Sequence, residues 1–378
     1  MKKLIFGLSV IFLASCGGSD DKKSGNMFAE FTISMDTVMV DSGNEILMAA
    51  ATGSSGIAVF SNQNLLFNWD AKGSNLEVID LEKLELSEKI EVEKEGPEGV
   101  GENAYMIRPL GEDRLVFLGW DGKVVLTDFK ANVLERISLR EDWMTEGIDE
   151  RGQLNFLGFS NDGKKLYCTF MAWKKLDSDI LELNLEEKSK RVIELPKFEN
   201  RNKFRVTWEV EGGKGMSATF PSQDFTLWEE DVLLASNYTS SFYHLKSKDD
   251  TLVFRQYDNT LTPNSKSGNY QNDVDSQEEL RKVATQLQEE ITFGRLLWDV
   301  VNEVFYRFSY KALPRIDGEQ VKYKTYLSIL NKDFELIGEK ETSEFISKVP
   351  NPQFVKDGKI HLYLNLDDEL AYQRLSID

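Results

Sequence analysis

The chain has 378 residues, 11% of them aromatic, and a formal charge of −19, which suits two average domains or one large β architecture. So acidic a chain is repelled by nucleic acid, which is therefore not an expected partner. Two cysteines, Cys16 and Cys168, and two histidines, His244 and His361, exclude a disulfide framework and the usual His/Cys zinc centre; no cofactor is expected.

Lys2 and Lys3 precede an apolar run from Leu4 to Ala14. The run is well short of the roughly 20 residues that cross a bilayer as a helix, and it fits the apolar core of a secretory signal. It ends in Leu13-Ala14-Ser15-Cys16, which resembles the lipobox of bacterial lipoproteins. That resemblance implies cleavage before Cys16 and a diacylglycerol on its sulfur, with residues 1–15 as the signal peptide and the membrane as a partner through the lipid. Losing Lys2 and Lys3 takes the formal charge from −19 to −21. Residues 16–27 are small and charged, a flexible tether. Within it Asp20-Asp21 resembles the surface-export signal of Bacteroidetes lipoproteins or is a plain soluble spacer. The expected location is the outer membrane, facing the periplasm or the cell surface.

Residues 28–378 read as one all-β domain. A strand, a tight polar turn and a very apolar second strand recur six times, with turns at Ser61–Asn64, Gly111–Asp113, Asn161–Gly163, Glu229–Asp231, Val301–Asn302 and Asp357–Gly358. Their spacing of roughly 50–70 residues is close to that of propeller repeats. The second strands, such as LLFNW and RLVFLGW, are apolar throughout, which predicts burial on both faces. Third strands are expected to alternate more cleanly, and fourth strands follow in five units. The sixth runs out of chain, while Phe31–Val40 is a spare strand that would complete it and remove an exposed edge. The expectation is a six-bladed β-propeller with four strands per blade, closed by the N-terminal strand; a pair of β-sandwiches fits six equivalent units poorly.

Two longer connections interrupt the repeat. Lys197 to Asp224 shows no strong periodicity. Gln256 to Glu290 holds a helix near 276–291, with Ser276 and Glu279 as a capping box and Leu280, Val283, Ala284, Leu287 and Ile291 as one apolar stripe. The helix is read as a lid or buttress on the propeller, with partner binding as the alternative.

Phe159-Ser-Asn-Asp-Gly-Lys-Lys-Leu-Tyr167 resembles the blade motif of TolB-type propellers. Glu95-Gly-Pro-Glu-Gly-Val-Gly101 resembles a loop common in Bacteroidetes six-bladed lipoproteins, and Tyr306-Arg307-Phe308 also looks familial. The chain is thus similar to a Bacteroidetes lipoprotein family of six-bladed, TolB-like propeller type, a resemblance that implies fold and location and no activity.

The chemistry-bearing patterns are sparse. Asp121-Gly122, Asp162-Gly163, Asp317-Gly318 and Asp357-Gly358 read as hairpin turns, where Asp-Gly favours type I′ geometry. No Gly-x-Ser-x-Gly elbow occurs; His244 and His361 sit within strands and read as structural. Cys168 lies in an apolar run and reads as a small buried hydrophobe. Asp273–Glu279 reads as a helix start, with the first-turn glutamates favoured by the macrodipole, or as a cation site. Five second strands end in an aromatic: Trp69, Trp120, Trp173, Tyr238 and Tyr310. These pack between blades or form a rim that stacks on a ligand. The functional expectation is a monomeric, lipid-anchored binding or scaffold propeller for a glycan, a peptide or an envelope protein. The alternative is an envelope glycan hydrolase or lyase using carboxylates at the propeller mouth.

Overall fold

A computed structural model describes residues 28, 30–47, 56–147, 152–172, 175–210, 216–315, 321–347, 353–367 and 369–378. The signal peptide, Cys16 and the tether lie outside the described residues.

Six antiparallel four-stranded meanders account for most of the chain. After β1 (Ile33–Met39), the first holds β2 (Ile57–Phe60), β3 (Leu65–Asp70), β4 (Asn75–Asp80) and β5 (Glu85–Glu91). The second holds β6 (Ala104–Leu110), β7 (Arg114–Gly119), β8 (Lys123–Thr127) and β9 (Val133–Ser138). The third holds β10 (Gly152–Phe159), β11 (Lys165–Ala172), β12 (Lys175–Asn184) and β13 (Ser189–Ile193). The next two strands, β14 (Val206–Glu209) and β15 (Met216–Thr219), stand apart. The fourth meander is β16 (Gln223–Trp228), β17 (Asp231–Ser236), β18 (Phe242–Lys246) and β19 (Thr251–Arg255). The short β20 (Asp273–Val274) precedes helix α1 (Gln277–Glu289). The fifth is β21 (Thr292–Asp299), β22 (Val304–Ala312), β23 (Tyr323–Leu330) and β24 (Leu336–Glu341). The sixth is β25 (Gln353–Lys356), β26 (Lys359–Leu366) and β27 (Glu369–Ile377), with β1 as its fourth strand, paired from Ile33↔Ile377 to Met39↔Ala371.

All six expected turns join a first strand to a second. At Asp357-Gly358 both φ angles are positive, 52° and 72°, as a type I′ turn demands. Asp162-Gly163 departs from the expectation, for only the glycine is left-handed. There Ser160 Oγ donates to Asp162 Oδ1 at 2.6 Å and the Gly163 N–H to the Ser160 carbonyl at 2.9 Å.

The second strands are buried on both faces, and alternate residues enter different cores. Leu115 and Phe117 of β7 pack with the first meander, while Val116 and Leu118 pack with the third. In β17, Val232 and Leu234 face the third meander, and Leu233 and Ala235 the fifth. Tyr306 and Phe308 of β22 join Ile360 and Leu362 of the sixth. Leu66 and Ile79 of the first meander share a core with Leu370 and Tyr372 of the sixth. Each meander therefore packs face to face on its chain neighbours, and the last packs on the first. Third strands, expected to alternate, are also buried on both faces, as in β8 and β23. The outer fourth strands are instead largely open to solvent, as in β1 and β9.

Within the described part of the connection that lacked periodicity, Pro196–Phe204 forms 3-10 turns and β14 and β15 form a hairpin, which β20 joins to make a seventh, three-stranded sheet. The stripe of α1 packs as expected: Leu280, Val283 and Leu287 enter the core shared by the third and fourth meanders. The Ser276 hydroxyl accepts the Glu279 N–H at 3.1 Å, and Glu279 reaches back to the Asp275 N–H at 2.9 Å, one residue ahead of the cap. Ile291 lies beyond the helix end and packs with Phe293 and Tyr326.

Candidate functional site

The first strands of the six meanders share a property: each is only partly buried. Their exposed sides converge on one channel of about 790 Å³, lined by residues of β2, β6, β10, β16, β21 and β25, a volume within the range of small-molecule sites. Three of these strands carry a register shift at the channel: β6 at Tyr105, β10 at Leu157 and β21 between Phe293 and Leu296. A bulge bends its strand and re-aims a side chain, and bulges concentrate beside functional sites. In β21 the irregular residues are Gly294 and Arg295, so Arg295 leaves the regular ladder where it meets the channel. Gly158 of β10 permits a close approach, since a Cβ there would lie 2.4 Å from the Phe225 ring.

The charged residues among those described along the channel are Arg108 of β6, Arg295 of β21 and Asp224 of β16. Two guanidiniums against one carboxylate leave the lining at +1 in a chain of −19. Loss of solvent first, and then the like charge of Arg295, bring Arg108 down to about 10, with Tyr105 and Asp224 partly offsetting both. The Arg108 Nη1 donates to the Ile107 carbonyl at 2.9 Å. Desolvation and the neighbouring charges of Tyr323 and Asp224 raise the Tyr310 phenol. The Oε1 of Gln353 in β25 is buried without a hydrogen-bond partner.

Arg307 of β22 fixes this wall from behind. It is fully buried; its Nε donates to the Gly294 carbonyl at 2.9 Å and its Nη2 to the carbonyls of Ser236 and Thr239 at 3.1 and 3.2 Å. Nη1 donates to the Ser240 carbonyl. One side chain thus ties the loop after β17 to the bulge that carries Arg295.

The aromatics singled out from the sequence fall in different places. Trp69 is 1% exposed, donates Nε1 to the Ala104 carbonyl at 3.1 Å and packs edge-on against Phe117. Tyr238, 4% exposed, stacks on Phe204 and donates to the Phe198 carbonyl at 3.3 Å. Trp120 is 74% exposed and stacked on Tyr105 at 3.7 Å. Tyr310 lines the channel, and Trp173 lies outside the described residues. Among the described four, only Tyr310 shares a site with the channel charges.

His244 and His361 occupy strand interiors: His244 Nε2 bonds Asp231 Oδ2 at 2.7 Å, and His361 stacks on Phe354 at 4.8 Å. Burial lowers both, His361 to about 4. Cys168 is fully buried and its thiol is pushed up by loss of solvent. Asp273 accepts the Thr207 hydroxyl at 2.6 Å, and no cluster of three or more potential metal-ligating side chains occurs among the described residues.

Sequence reasoning missed Arg108, Arg295 and Asp224. Arg108 is a charged residue inside the otherwise apolar β6, which was an available signal; Asp224 and Arg295 sit in strands with further polar residues, and the convergence of the three across 187 residues of chain had no signal.

Among solved structures the fold is similar to a DUF4221 family member from Bacteroides vulgatus ATCC 8482. That match has 14% identity and a TM-score of 0.63, covering 93% of this chain and 99% of that one. It is also similar to a presumed exported protein from Bacteroides fragilis NCTC 9343, with 9% identity and a TM-score of 0.53 over 92% of this chain and 95% of that one. The β-propeller domain of Myceliophteria thermophila Cps50 (Swd1) matches at 8% identity and a TM-score of 0.47, over 92% of this chain and 100% of that one. No curated protein matches the sequence. The family model described as a domain of unknown function, DUF4221, matches residues 27–341, and the chain belongs to that family.

Proposed function

We propose that this chain is a lipid-anchored, extracytoplasmic binding protein: a closed six-bladed β-propeller that takes its ligand in the central channel. The six meanders are the blades, β1 is the closing strand, and the small sheet with α1 is an insertion buttressing the third and fourth blades. Carrying this reading is the convergence of six first strands on one channel whose described lining is net positive in a chain of −19. The lipobox at Cys16 supports anchoring at the outer membrane, and the exported character ascribed to the Bacteroides fragilis protein agrees with it. The hydrolase alternative needs two converging carboxylates; Asp224 is the one carboxylate among the described lining residues, so the observations favour binding.

The test narrows the channel mouth. Ser222 lines the channel and is exposed, so Ser222→Trp obstructs entry without disturbing a core. Wild-type protein is expected to retain a ligand on a glycan and peptide array and Ser222→Trp to lose it. Equal retention by both proteins, or retention by neither, would refute a channel site. The anchor is tested separately: Cys16→Ala should leave the membrane fraction and stop incorporating labelled palmitate.

A further inference from the structure

Resting on that channel reading, we propose a ligand class: a hydroxyl-bearing carboxylate of the uronic-acid type, its carboxylate held by Arg295 and Arg108. Charge comes first. A lining of +1 is neutralised by a monoanion, whereas a phosphate monoester near two negative charges would leave an excess in a partly desolvated site, where uncompensated charge is costly. Geometry comes second. The bulge at Gly294-Arg295 turns a guanidinium out of the ladder, and no described residue pairs with it. A guanidinium matches a carboxylate through two parallel hydrogen bonds. The remaining lining supplies the complement of a sugar: the unpartnered Gln353 Oε1 takes a hydroxyl proton, Asp224 takes another, and Phe156, Phe225 and Trp298 offer apolar faces to ring C–H groups. Asp224 has a second effect, since its charge opposes the entry of a dianion.

The test is isothermal titration calorimetry of the full mature chain with galacturonate and a glucuronate-terminated disaccharide, each a monoanion. Maltotriose and glucose 6-phosphate serve as comparators. Uronates should bind, and bind at least about tenfold more tightly than either comparator. Arg295→Gln should weaken uronate binding by about 10- to 100-fold, the range for a lost charge-assisted hydrogen bond. Arg295→Lys should recover part of the loss. Asp224→Asn should raise affinity for glucose 6-phosphate. Arg295 is half-buried and makes no structural hydrogen bond among the described residues, so an unchanged melting temperature is expected and serves as the folding control. Three results would overturn the inference: no heat from either uronate at millimolar concentration, equal uronate affinity in Arg295→Gln, or tighter binding of the phosphate. Maltotriose binding that Ser222→Trp abolishes, with no uronate binding, would overturn this inference and leave the channel reading standing.

Discussion

Arg307→Lys tests whether one buried side chain holds the channel wall in place. The guanidinium donates to the carbonyls of Gly294, Ser236, Thr239 and Ser240, which belong to two adjacent meanders. An ammonium keeps the charge and loses the planar fork, so it reaches about two of the four acceptors. Each buried acceptor left unsatisfied costs about 1–3 kcal/mol, for a total of about 4 kcal/mol. With an unfolding entropy near 2.1 cal/mol/K per residue, a domain of this size should then melt about 5 °C lower. Scanning calorimetry of wild type and variant at pH 7 reads the shift. Because the Gly294 carbonyl is released, the Arg295 bulge should also loosen, and uronate affinity should fall in folded Arg307→Lys at a temperature well below its melting point. A melting temperature within 1 °C of wild type would refute the reasoning, since it would mean that water or a relaxed backbone satisfies the carbonyls at little cost.

Three further outcomes follow from the same packing. His361 is held neutral by burial, with its pKa lowered to about 4 from 6.5. The unfolded chain therefore binds the extra proton between those values, and stability should decline as pH falls from about 6.5 to about 4, by about 3 kcal/mol. His361→Phe, which can keep the stack on Phe354, should flatten that part of a melting temperature against pH profile; an unaltered slope would sink the assignment. Deleting residues 28–40 removes the strand that covers β27 and the core around Phe28, Phe31 and Ile33. The truncated chain should be recovered aggregated, and a peptide of residues 30–41 supplied during refolding should restore soluble protein; soluble, cooperatively melting truncated protein would contradict the role of β1. Finally, the Cys168 thiol should resist Ellman's reagent in native Cys16→Ala protein and react fully in 6 M guanidinium, and rapid native labelling would contradict its burial.

What the sequence by itself determined is what local physics encodes. Six polar turns between apolar strands, burial of the second strands on both faces, the Ser276 cap and the stripe of α1 all rest on residues within a few positions of one another. The pairing of Phe31–Val40 with the C-terminal unit was legible too, because a missing fourth strand and a spare one leave a single sensible match. The tertiary structure alone decided the rest. The β14 strand pairs antiparallel with β15 and is also joined in parallel by Asp273-Val274, where the Thr207 N–H meets the Asn272 carbonyl at 2.7 Å, and parallel partners distant in sequence carry no turn signature. Third strands are expected from the sequence to alternate, yet β8 and β23 are buried on both sides, because the neighbouring meander covers the face that an open sheet would leave wet. Trp69, Trp120, Tyr238 and Tyr310 occupy similar places in their repeats and four different environments, since the loops and insertions packed on each strand end differ. The channel charges were visible as residues and invisible as a site. Arg108, Asp224 and Arg295 come together only when three strands from separate meanders line one channel, and the last of them stands in the irregular stretch of β21.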